Sequence, residues 1–174
     1  MGSVSCIIVK RVLILGCPAS GKSTFARKLA ASTGLPLVHL DRLFWRPNWV
    51  EATEAEFNSS LASELPKDAW IIDGNYGRTI AQRLQRADTA IFLDFPRWLC
   101  LYRAVKRSLT GWGRARPDMA GGCNERFHAA FLKFIWEFRK NHRPKLLTEL
   151  ERFPGAKIVL CSTNEVGRFF EQLR

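Results

Sequence analysis

The segment at residues 16–23 constrains this chain more than any other, because it reads GCPASGKS and matches G-x-x-x-x-G-K-[ST] at every fixed position. An apolar run of strand type precedes it at residues 12–15, and a helical pattern follows at residues 23–31. In this strand–loop–helix setting, glycines let the backbone curl so that successive N–H groups point at one anion. The helix start adds the positive end of its dipole. This segment, called the P-loop below, therefore predicts a binding site for the phosphates of a nucleotide.

Positions inside the P-loop have distinct expected roles. Lys22 is expected to reach the β- and γ-phosphates of ATP, and the hydroxyl group of Ser23 is expected to ligate Mg²⁺. ATP and Mg²⁺ are therefore the cofactors that the sequence predicts. The expected nucleotide contacts within the loop and the first helical turn are Gly16, Pro18, Ala19, Ser20, Gly21, Lys22, Ser23 and Thr24.

Four further apolar runs follow along the chain. They lie at residues 37–40, 70–72, 90–93 and 158–161, and helical patterns separate them. Strands that are nearly continuous in apolar residues are typical of parallel sheets buried on both faces. Alternating strands and helices form right-handed βαβ units. The sequence thus predicts one α/β domain over residues 1–174, a three-layer sandwich with a five-stranded parallel sheet and helices on both faces.

The helical patterns carry more specific expectations. Thr53 and Glu56 have the spacing of a capping box at a helix start. Pro96 is expected in the first turn of a helix that continues through Val105. A final helix is expected at residues 165–173.

Positive charge is concentrated in one part of the chain. The formal net charge is +11, and residues 97–145 hold twelve Lys and Arg against three acids. Such a concentration indicates an anionic partner, either the phosphates of a small substrate or a nucleic acid. Phenylalanines at positions 127, 131, 134 and 138 have helical spacing and are interpreted as core, with base stacking as the alternative.

Composition disfavours several other classes of protein. No apolar run approaches the about 18 residues of a membrane span, and the N-terminus lacks the pattern of a signal peptide. The five cysteines are scattered without a C-x-x-C pair, which disfavours a zinc site or a disulfide framework. We therefore expect a cytoplasmic protein without a membrane partner, and the sequence leaves its oligomeric state open.

Carboxylates follow three of the five predicted strands. Ligands of parallel α/β sheets bind at the carboxyl ends of the strands, so Asp41, Asp73 and Asp94 should meet beside the P-loop. Either Asp73 or Asp94 is suited to hold Mg²⁺ together with Ser23. Gly74 favours Asp73, because a glycine lets a ligand approach closely. The alternative role for Asp94 is to bond the free N–H groups at the start of the following helix.

Asp41 and the aromatic segment after it predict the site of a second substrate. A carboxylate there is suited to accept the proton of an attacking hydroxyl group or to orient that group. Trp45 and Trp49 are expected to stack on a planar acceptor. The alternative is that Trp45 and Trp49 cover a seam between a helix and the sheet. His39 lies inside a predicted strand and is interpreted as a packed residue.

A basic segment between two glycine-containing turns predicts a lid. It carries Arg114 and Arg116, and arginines brought over bound phosphates would neutralise the charge on a transferring phosphoryl group. Arg103 and Arg107 lie four residues apart on the preceding helix and are expected to face the same phosphates. A mobile surface loop is the alternative.

Taken together, the motifs make the chain similar to the bacterial family of DNA topology modulation proteins, which groups with adenylate kinase-like and other small kinases. The resemblance covers nearly the whole chain. It rests on the segments GCPASGKSTFARKLA, PLVHLDRLFWRPNWVE, WIIDGNYGRT, ADTAIFLDFPRWLCLYRAVKRSL, GRARPDMAGGCNERF and FLKFIWEFRKNHRPK. It implies a P-loop kinase-like core with strand order 2-3-1-4-5 and a lid around residues 108–126.

The acceptor side departs from the adenylate kinase pattern. Those kinases follow the third strand with Asp-Gly-Phe-Pro-Arg, whose arginine grips the acceptor phosphate, whereas residues 73–78 here read DGNYGR and place Arg78 one position later. Asp41 resembles instead the acceptor-site carboxylate of kinases for small metabolites such as shikimate or gluconate. The expected acceptor contacts are Asp41, Trp45, Asp73, Gly74, Tyr76 and Arg78.

These features predict a Mg²⁺-dependent transfer of the γ-phosphoryl group of ATP to a nucleotide, a nucleoside or another small metabolite. The alternative is a nucleic-acid-binding regulator that uses the nucleotide as a switch and has little kinase activity. The expected catalytic residues are Lys22, Asp41, Arg107, Arg114 and Arg116.

Overall fold

The computed structural model describes residues 9–113, 118–125 and 127–173. Its strands are β1 (Arg11–Gly16), β2 (Leu37–His39), β3 (Trp45–Arg46), β4 (Val50–Glu51), β5 (Trp70–Asp73), β6 (Thr89–Leu93) and β7 (Ala156–Leu160). Its helices are α1 (Lys22–Thr33), α2 (Leu40–Phe44), α3 (Glu54–Glu64), α4 (Ile80–Arg86), α5 (Arg97–Thr110), α6 (Ala129–Asn141), α7 (Arg143–Arg152) and α8 (Thr163–Gln172).

Five of these strands form one parallel sheet in the order β2-β5-β1-β6-β7. Numbered within the sheet alone, this is the expected order 2-3-1-4-5. The two short strands β3 and β4 form a separate antiparallel hairpin outside the sheet. The central strand β1 lies between β5 and β6, so the P-loop that follows it emerges from the middle of the carboxyl edge.

Helices cover both faces of the sheet, as the apolar runs predict. Alternate residues of β1 point to opposite sides: Leu13 and Leu15 belong to a core shared with α2 to α7, whereas Val12 and Ile14 belong to a core shared with α1 and α8. Strands buried on both faces need an apolar residue at nearly every position, which explains their short continuous runs. The three-layer α/β architecture is confirmed.

Several boundaries differ from the expectations. β2 ends at His39, and Leu40 already belongs to α2 rather than to the strand. Pro96 is the residue before α5 rather than part of its first turn. The phenylalanine stripe is only half core: Phe138 is buried, whereas Phe134 is exposed and Phe127 lies before α6 begins. The capping box of Thr53 and Glu56 is present at the start of α3.

Among the described residues, none of the helices is both long enough and apolar enough to cross a membrane.

Candidate functional site

The P-loop turns sharply out of β1 because its first residue is a glycine. Gly16 has φ of 149°, and a Cβ atom there would lie 2.6 Å from the carbonyl oxygen of Leu93. Any other residue would collide with the backbone of β6, so only glycine lets the loop begin at this point. The loop then closes with a bond from the Ser20 amide to the Cys17 carbonyl, 3.1 Å long, and α1 starts at Lys22.

Two basic side chains lie directly on the P-loop. Lys22 Nζ donates to the carbonyl oxygens of Gly16 and Cys17, both at 2.9 Å. Arg103 of α5 donates to the carbonyl of Ser20 at 2.6 Å, and its guanidinium covers the ring of Phe95. The structure therefore brings the expected Lys22 and Arg103 together at the loop, from two elements 81 positions apart in sequence.

The predicted acceptor side, called the acceptor side below, is centred on Asp41 in the first turn of α2. The hydroxyl group of Tyr76 donates to Asp41 Oδ1 at 2.7 Å. The rings of Phe44 and Phe57 pack on Tyr76 with centroids 5.1 and 4.9 Å away. Burial, followed by the negative charge of Asp41, raises the pKa of Tyr76 above its ordinary range, so the phenol stays a hydrogen-bond donor. Asp41 is thus a carboxylate held in place against an aromatic wall.

A buried arginine that sequence reasoning missed holds the loop between Asp73 and Tyr76. Arg83 of α4 is fully buried and donates to the carbonyls of Gly74 at 2.8 Å, of Tyr76 at 3.0 Å and of Asn75. Burial lowers the pKa of its guanidinium to about 9, and the carbonyl acceptors favour the charged form. Tyr76 has φ of 32°, a strained value for a non-glycine residue, and the clamp maintains it.

Asn75 joins this loop to the P-loop, and sequence reasoning assigned it no role. Its Oδ1 accepts from the Gly16 amide at 3.1 Å, and its Nδ2 donates to the Gly16 carbonyl at 2.7 Å. The acceptor-side loop and the phosphate loop therefore form one connected unit, in which Tyr76 holds Asp41 and Asn75 holds Gly16.

Asp73 ends β5 beside the P-loop, where the sequence places a magnesium ligand. Its Oδ2 lies 2.9 Å from Nδ1 of His39, and both side chains are only 5% exposed. Its Oδ1 is buried and has no hydrogen-bond partner among the described residues. A buried carboxylate oxygen without a donor fits a cation or one of its bound waters. Ser23 and Asp73 therefore suit Mg²⁺, which proteins bind through one or two oxygen ligands plus substrate phosphates.

His39 is packed, as expected, and it is also the partner of the candidate metal-side carboxylate. The sequence placed His39 in a strand, but its pairing with Asp73 depends on the register between β2 and β5, which only the structure shows.

Asp94 has a different partner. Its two carboxylate oxygens accept from Nε and NH2 of Arg143 at 2.8 and 2.6 Å. This bidentate ion pair fastens the end of β6 to the start of α7. The alternative role for Asp94, bonding the free N–H groups at the start of α5, is not observed: no side chain caps that helix, and both Asp94 oxygens accept from Arg143. The pair also leaves Asp73 as the better candidate for the metal side.

Arg78 points away from the acceptor side. Its guanidinium pairs with Glu54 at 3.2 Å, and 84% of the side chain is exposed. The turn Gly77–Thr79 precedes α4 and directs Arg78 outward, so that Arg83 is the arginine that enters the site. Arg46 of the hairpin is likewise engaged, in an ion pair with Glu56.

The hairpin formed by β3 and β4 contacts residues 118–125 of the expected lid. The backbone amide of Asn48 donates to the Gly122 carbonyl at 3.3 Å, and Nε1 of Trp49 donates to the Asn124 carbonyl at 3.0 Å. The thiol of Cys123 donates to the Arg46 carbonyl at 3.1 Å. Trp45 and Trp49 form an edge-to-face pair with centroids 5.4 Å apart, and the ring of Trp45 also lies edge-to-face on Phe44 of α2 at 5.1 Å.

Arg107 lies at the base of the same segment. Its Nε is 3.1 Å from Oε1 of Glu125, which is buried, and its guanidinium lies over the ring of Phe131. The amide of Gly113 donates to the Glu125 carbonyl at 3.0 Å and closes the neck of the segment. Arg114 and Arg116, the expected lid arginines, lie outside the described residues.

Many of the cations in residues 97–145 have internal partners. Arg103 binds the P-loop, Arg107 contacts Glu125, and Arg143 binds Asp94. Part of the charge concentration is therefore explained by the site itself rather than by an external polyanion.

A parallel α/β sheet with a P-loop at its central strand, and carboxylates at its carboxyl edge, defines the fold of the small P-loop kinases. Comparisons with known proteins agree with this class. No protein-family model matches the chain. An adenylate kinase of Clavibacter michiganensis is 31% identical over 107 residues, which is 60% of this chain and 52% of that enzyme. The chain thus spans about half the length of this curated relative.

Solved structures of metabolite kinases share the fold over almost the whole chain. A shikimate kinase of Acinetobacter baumannii in complex with shikimate has a TM-score of 0.58 at 13% identity, covering 95% of this chain and 91% of the other. A shikimate kinase of Bacteroides thetaiotaomicron has a TM-score of 0.52 at 16% identity, covering 95% and 98%. A gluconokinase of Sinorhizobium meliloti has a TM-score of 0.51 at 14% identity, covering 94% and 95%.

Proposed function

We propose that this protein is a Mg²⁺-dependent phosphotransferase that moves the γ-phosphoryl group of ATP to a hydroxyl group of a small molecule. The observation that carries the proposal is the Asp41–Tyr76 hydrogen bond of 2.7 Å, in a unit that Asn75 ties to the P-loop. A carboxylate held at a fixed place relative to the phosphates is what a hydroxyl acceptor needs. The structural similarity to shikimate kinases and a gluconokinase, which act on hydroxylated metabolites, supports the proposal of a small-molecule kinase.

Different residues have different proposed roles in the phosphoryl transfer. Lys22, Arg103 and the P-loop amides bind and orient the triphosphate, and charge compensation is most of what phosphoryl transfer requires. Asp41 orients the hydroxyl group of the acceptor and takes its proton. The acceptor oxygen bonds to the γ-phosphorus, and the bond between the γ-phosphorus and the bridging oxygen breaks. The products are the phosphorylated acceptor and ADP. Arg107, Arg114 and Arg116 are proposed to neutralise the transferred group.

Magnesium fits at Ser23 and Asp73. When bound it supplies positive charge to the β- and γ-phosphate oxygens.

The ion pairs of two arginines, Arg78 and Arg46, favour a hydroxyl acceptor over a phosphate acceptor. Arg78, which occupies the place nearest to the acceptor-binding arginine of adenylate kinases, pairs with Glu54 at the surface. Arg46 of the hairpin pairs with Glu56. The carboxylate of Asp41 would repel the phosphate of a nucleoside monophosphate, whereas it attracts a hydroxyl proton.

The test is ADP release from Mg·ATP across nucleosides, polyols, hydroxy acids and nucleoside monophosphates, with Lys22→Ala as the inactive control. Lys67→Ala, which removes an exposed lysine after α3, is the matched control for loss of a positive charge. One class of hydroxyl acceptor should raise turnover well above the basal rate in the wild-type and Lys67→Ala proteins only. Stimulation by nucleoside monophosphates alone would contradict the hydroxyl acceptor, and no stimulation by any acceptor would contradict the kinase.

A second candidate is a nucleic-acid-binding protein switched by the nucleotide, the activity suggested by the name of the family that the sequence resembles. One surface favours it. Trp98 of α5 and Trp136 of α6 are 66% and 43% exposed, lie 4.9 Å apart, and have the guanidinium of Arg97 over the Trp136 ring. Exposed aromatic rings beside a cation suit base stacking and phosphate contact.

This candidate makes its own prediction. Binding to labelled single-stranded DNA, followed by fluorescence anisotropy, should weaken steeply with salt and should be lost in Trp98→Ala. Equal binding by wild-type protein and Trp98→Ala would mean that the chain attracts DNA through its net charge alone.

A further inference from the structure

Four apolar side chains lie exposed in one row along α5. They are Trp98, Tyr102, Val105 and Leu109, and between 36% and 70% of each residue is exposed. The helix packs on the domain through another face, which carries its buried residues. Single exposed apolar residues are common on proteins, whereas a continuous apolar row with a polar rim marks a contact surface. We call this row the α5 stripe.

The spacing within the α5 stripe is that of a seam between two helices. Its members follow one another after four, three and four residues, which is the alternation of a and d positions in a heptad. They therefore lie in a narrow band that extends about 16 Å along the helix axis. A helix that lies on a lipid surface has a broad apolar face instead. The stripe thus suits one further helix packed alongside α5.

The α5 stripe is complementary to itself when two copies run antiparallel. With the twofold axis between residues 103 and 104, Trp98 lies opposite Leu109, and Tyr102 lies opposite Val105. Each a position then faces a d position, and each large aromatic side chain faces a smaller aliphatic one. An isologous contact of this kind pairs every member of the stripe.

The apolar area at the α5 stripe is of the size that a dimer interface needs. Trp136 of α6 packs edge-to-face on Trp98 and extends the stripe at one end. The exposed parts of these side chains together amount to roughly 500 Å², since a whole aromatic side chain has roughly 150–250 Å². A standard interface buries about 800 Å² per partner, of which about 60% is apolar. The stripe therefore supplies the apolar centre of such an interface.

We propose that this chain forms a twofold-symmetric dimer in which the α5 stripe packs antiparallel on the α5 stripe of a second copy. Arg103 and Arg107, the residues of α5 that contact the P-loop and Glu125, lie outside the stripe. The dimer therefore leaves the candidate site intact, and the inference does not rest on the proposed function.

Charge opposes this dimer and distinguishes it from complexes with other partners. Each chain carries a formal net charge of +11, so two copies repel each other at low salt. In the proposed register the exposed Lys106 faces Leu101 of the second copy rather than another cation. Salt that screens the repulsion should strengthen the dimer, whereas salt weakens the binding of a nucleic acid or another polyanion.

Sedimentation velocity of the full chain over a range of protein concentrations tests the proposal. The wild-type protein should be a monomer when dilute and a dimer when concentrated. Raising NaCl from about 0.05 M to about 0.5 M should lower the dissociation constant of the dimer. A monomer at every concentration and every salt level would overturn the inference. A complex that carries nucleic acid and dissociates as salt is raised would also overturn it and would favour single-stranded DNA as the ligand of this surface.

A substitution within the stripe locates the interface. Leu109→Gln changes the most exposed member, so the fold should be retained. It should raise the dissociation constant of the dimer at least about 10-fold, because each dimer contains the contact between Trp98 and Leu109 twice. Val159→Gln, which changes an exposed valine of β7 in the same way, is the matched control and should dimerise like the wild-type protein. Equal dimerisation of the two variants would place the interface elsewhere and overturn the inference.

Chemical crosslinking tests the antiparallel register. The background is Cys6→Ser with Cys161→Ser, because Cys161 is exposed and Cys6 lies outside the described residues. Lys106→Cys and Thr110→Cys each add one thiol beside the stripe. Across the twofold axis the two copies of residue 106 lie about 7 Å apart along the helices, and the two copies of residue 110 lie about 20 Å apart. A short bismaleimide should therefore crosslink Lys106→Cys far more efficiently than Thr110→Cys, and equal or reversed yields would contradict the proposed pairing.

Discussion

His39 donates a hydrogen bond from Nδ1 to Oδ2 of the Asp73 carboxylate at 2.9 Å, and the two side chains lie at the ends of adjacent parallel strands. This contact occupies Oδ2 of Asp73, whereas Oδ1 is buried without a hydrogen-bond partner among the described residues. In the proposed magnesium site, His39 would orient the Asp73 carboxylate without touching the ion.

Asp73→Asn should therefore raise the Mg²⁺ concentration needed for half-maximal turnover by about 10- to 100-fold. The amide is isosteric and uncharged, so it cannot neutralise a cation as the carboxylate does. Initial rates across a magnesium titration at saturating ATP measure the effect. Asp94→Asn is the comparison: it should lower the melting temperature by weakening the ion pair with Arg143, with little change in the magnesium dependence. A larger magnesium effect in Asp94→Asn would reverse the assignment of the two acids.

Asp41→Asn should lower kcat by about 10²- to 10⁴-fold for a hydroxyl acceptor, the range expected for loss of a general base. The asparagine side chain can still accept the hydrogen bond from Tyr76, so the fold and the KM for ATP should change little. Steady-state kinetics with the acceptor that stimulates turnover measure the effect. Asp68→Asn, an exposed carboxylate before β5, should behave as the wild-type protein. Undiminished kcat in Asp41→Asn would show that this carboxylate does not act on the acceptor.

Arg103→Ala should weaken ATP binding by about 10- to 100-fold, since it removes a charged donor that lies on the P-loop. Arg78→Ala should leave kcat and both KM values nearly unchanged, because the side chain is exposed and pairs with Glu54. The two variants remove the same charge, so each serves as a control for the other. A raised acceptor KM in Arg78→Ala would instead indicate that a phosphate-bearing acceptor draws this arginine inward.

Arg83→Leu should lower the free energy of unfolding by about 2–4 kcal/mol, because several buried carbonyls lose their donor. Arg86→Leu, one turn further along α4 and exposed, should change it by less than about 0.5 kcal/mol. Urea denaturation followed by circular dichroism compares the two. If neither variant changed the free energy of unfolding, the hydrogen bonds from Arg83 to the loop at Gly74–Tyr76 would not stabilise the fold.

Glu56 makes the start of α3 sensitive to acid. Its hydrogen bonds to Thr53, followed by its contact with Arg46, lower the pKa of the Glu56 carboxyl from its ordinary 4.5 to about 2. A carboxyl whose pKa is lower in the folded state stabilises the fold fully above its unfolded pKa and loses that contribution as pH falls. Glu56→Ala should therefore have a lower melting temperature than the wild-type protein above about pH 4.5, and the difference should shrink as pH falls toward 2. Glu171→Ala, an exposed carboxylate of α8, is the control for removing one charge. A constant difference from pH 7 to pH 2 would contradict the lowered pKa.

Local sequence patterns were sufficient to predict the parallel sheet and the P-loop. The five runs are short, continuous and separated by helices, which is the pattern of parallel strands buried on both faces. The positions of Asp41, Asp73 and Asp94 at the carboxyl ends of β2, β5 and β6 could also be predicted, because each acid lies at or just after the end of an apolar run.

Pairing between distant residues could not be predicted in the same way. Arg78 and Arg83 lie five positions apart, and the short turn before α4 decides which of them enters the site. Asn75 meets Gly16 across 59 positions, and Asp94 meets Arg143 across 49. Such contacts depend on how the loops leave the sheet and on the angle at which helices pack, and no local pattern encodes either.

The contacts between the hairpin and residues 118–125 have a consequence for how such a protein could diversify. Three hydrogen bonds join described residues of the two segments, and in each of these the acceptor is a backbone carbonyl, belonging to Gly122, Asn124 or Arg46. A backbone carbonyl survives the replacement of its side chain. Arg46 and Asn124 contribute only their carbonyls to these bonds, so their side chains can change from one descendant to another while the two segments stay joined. Trp49 and Cys123 supply side-chain donors, and their replacement would break the bonds that they donate.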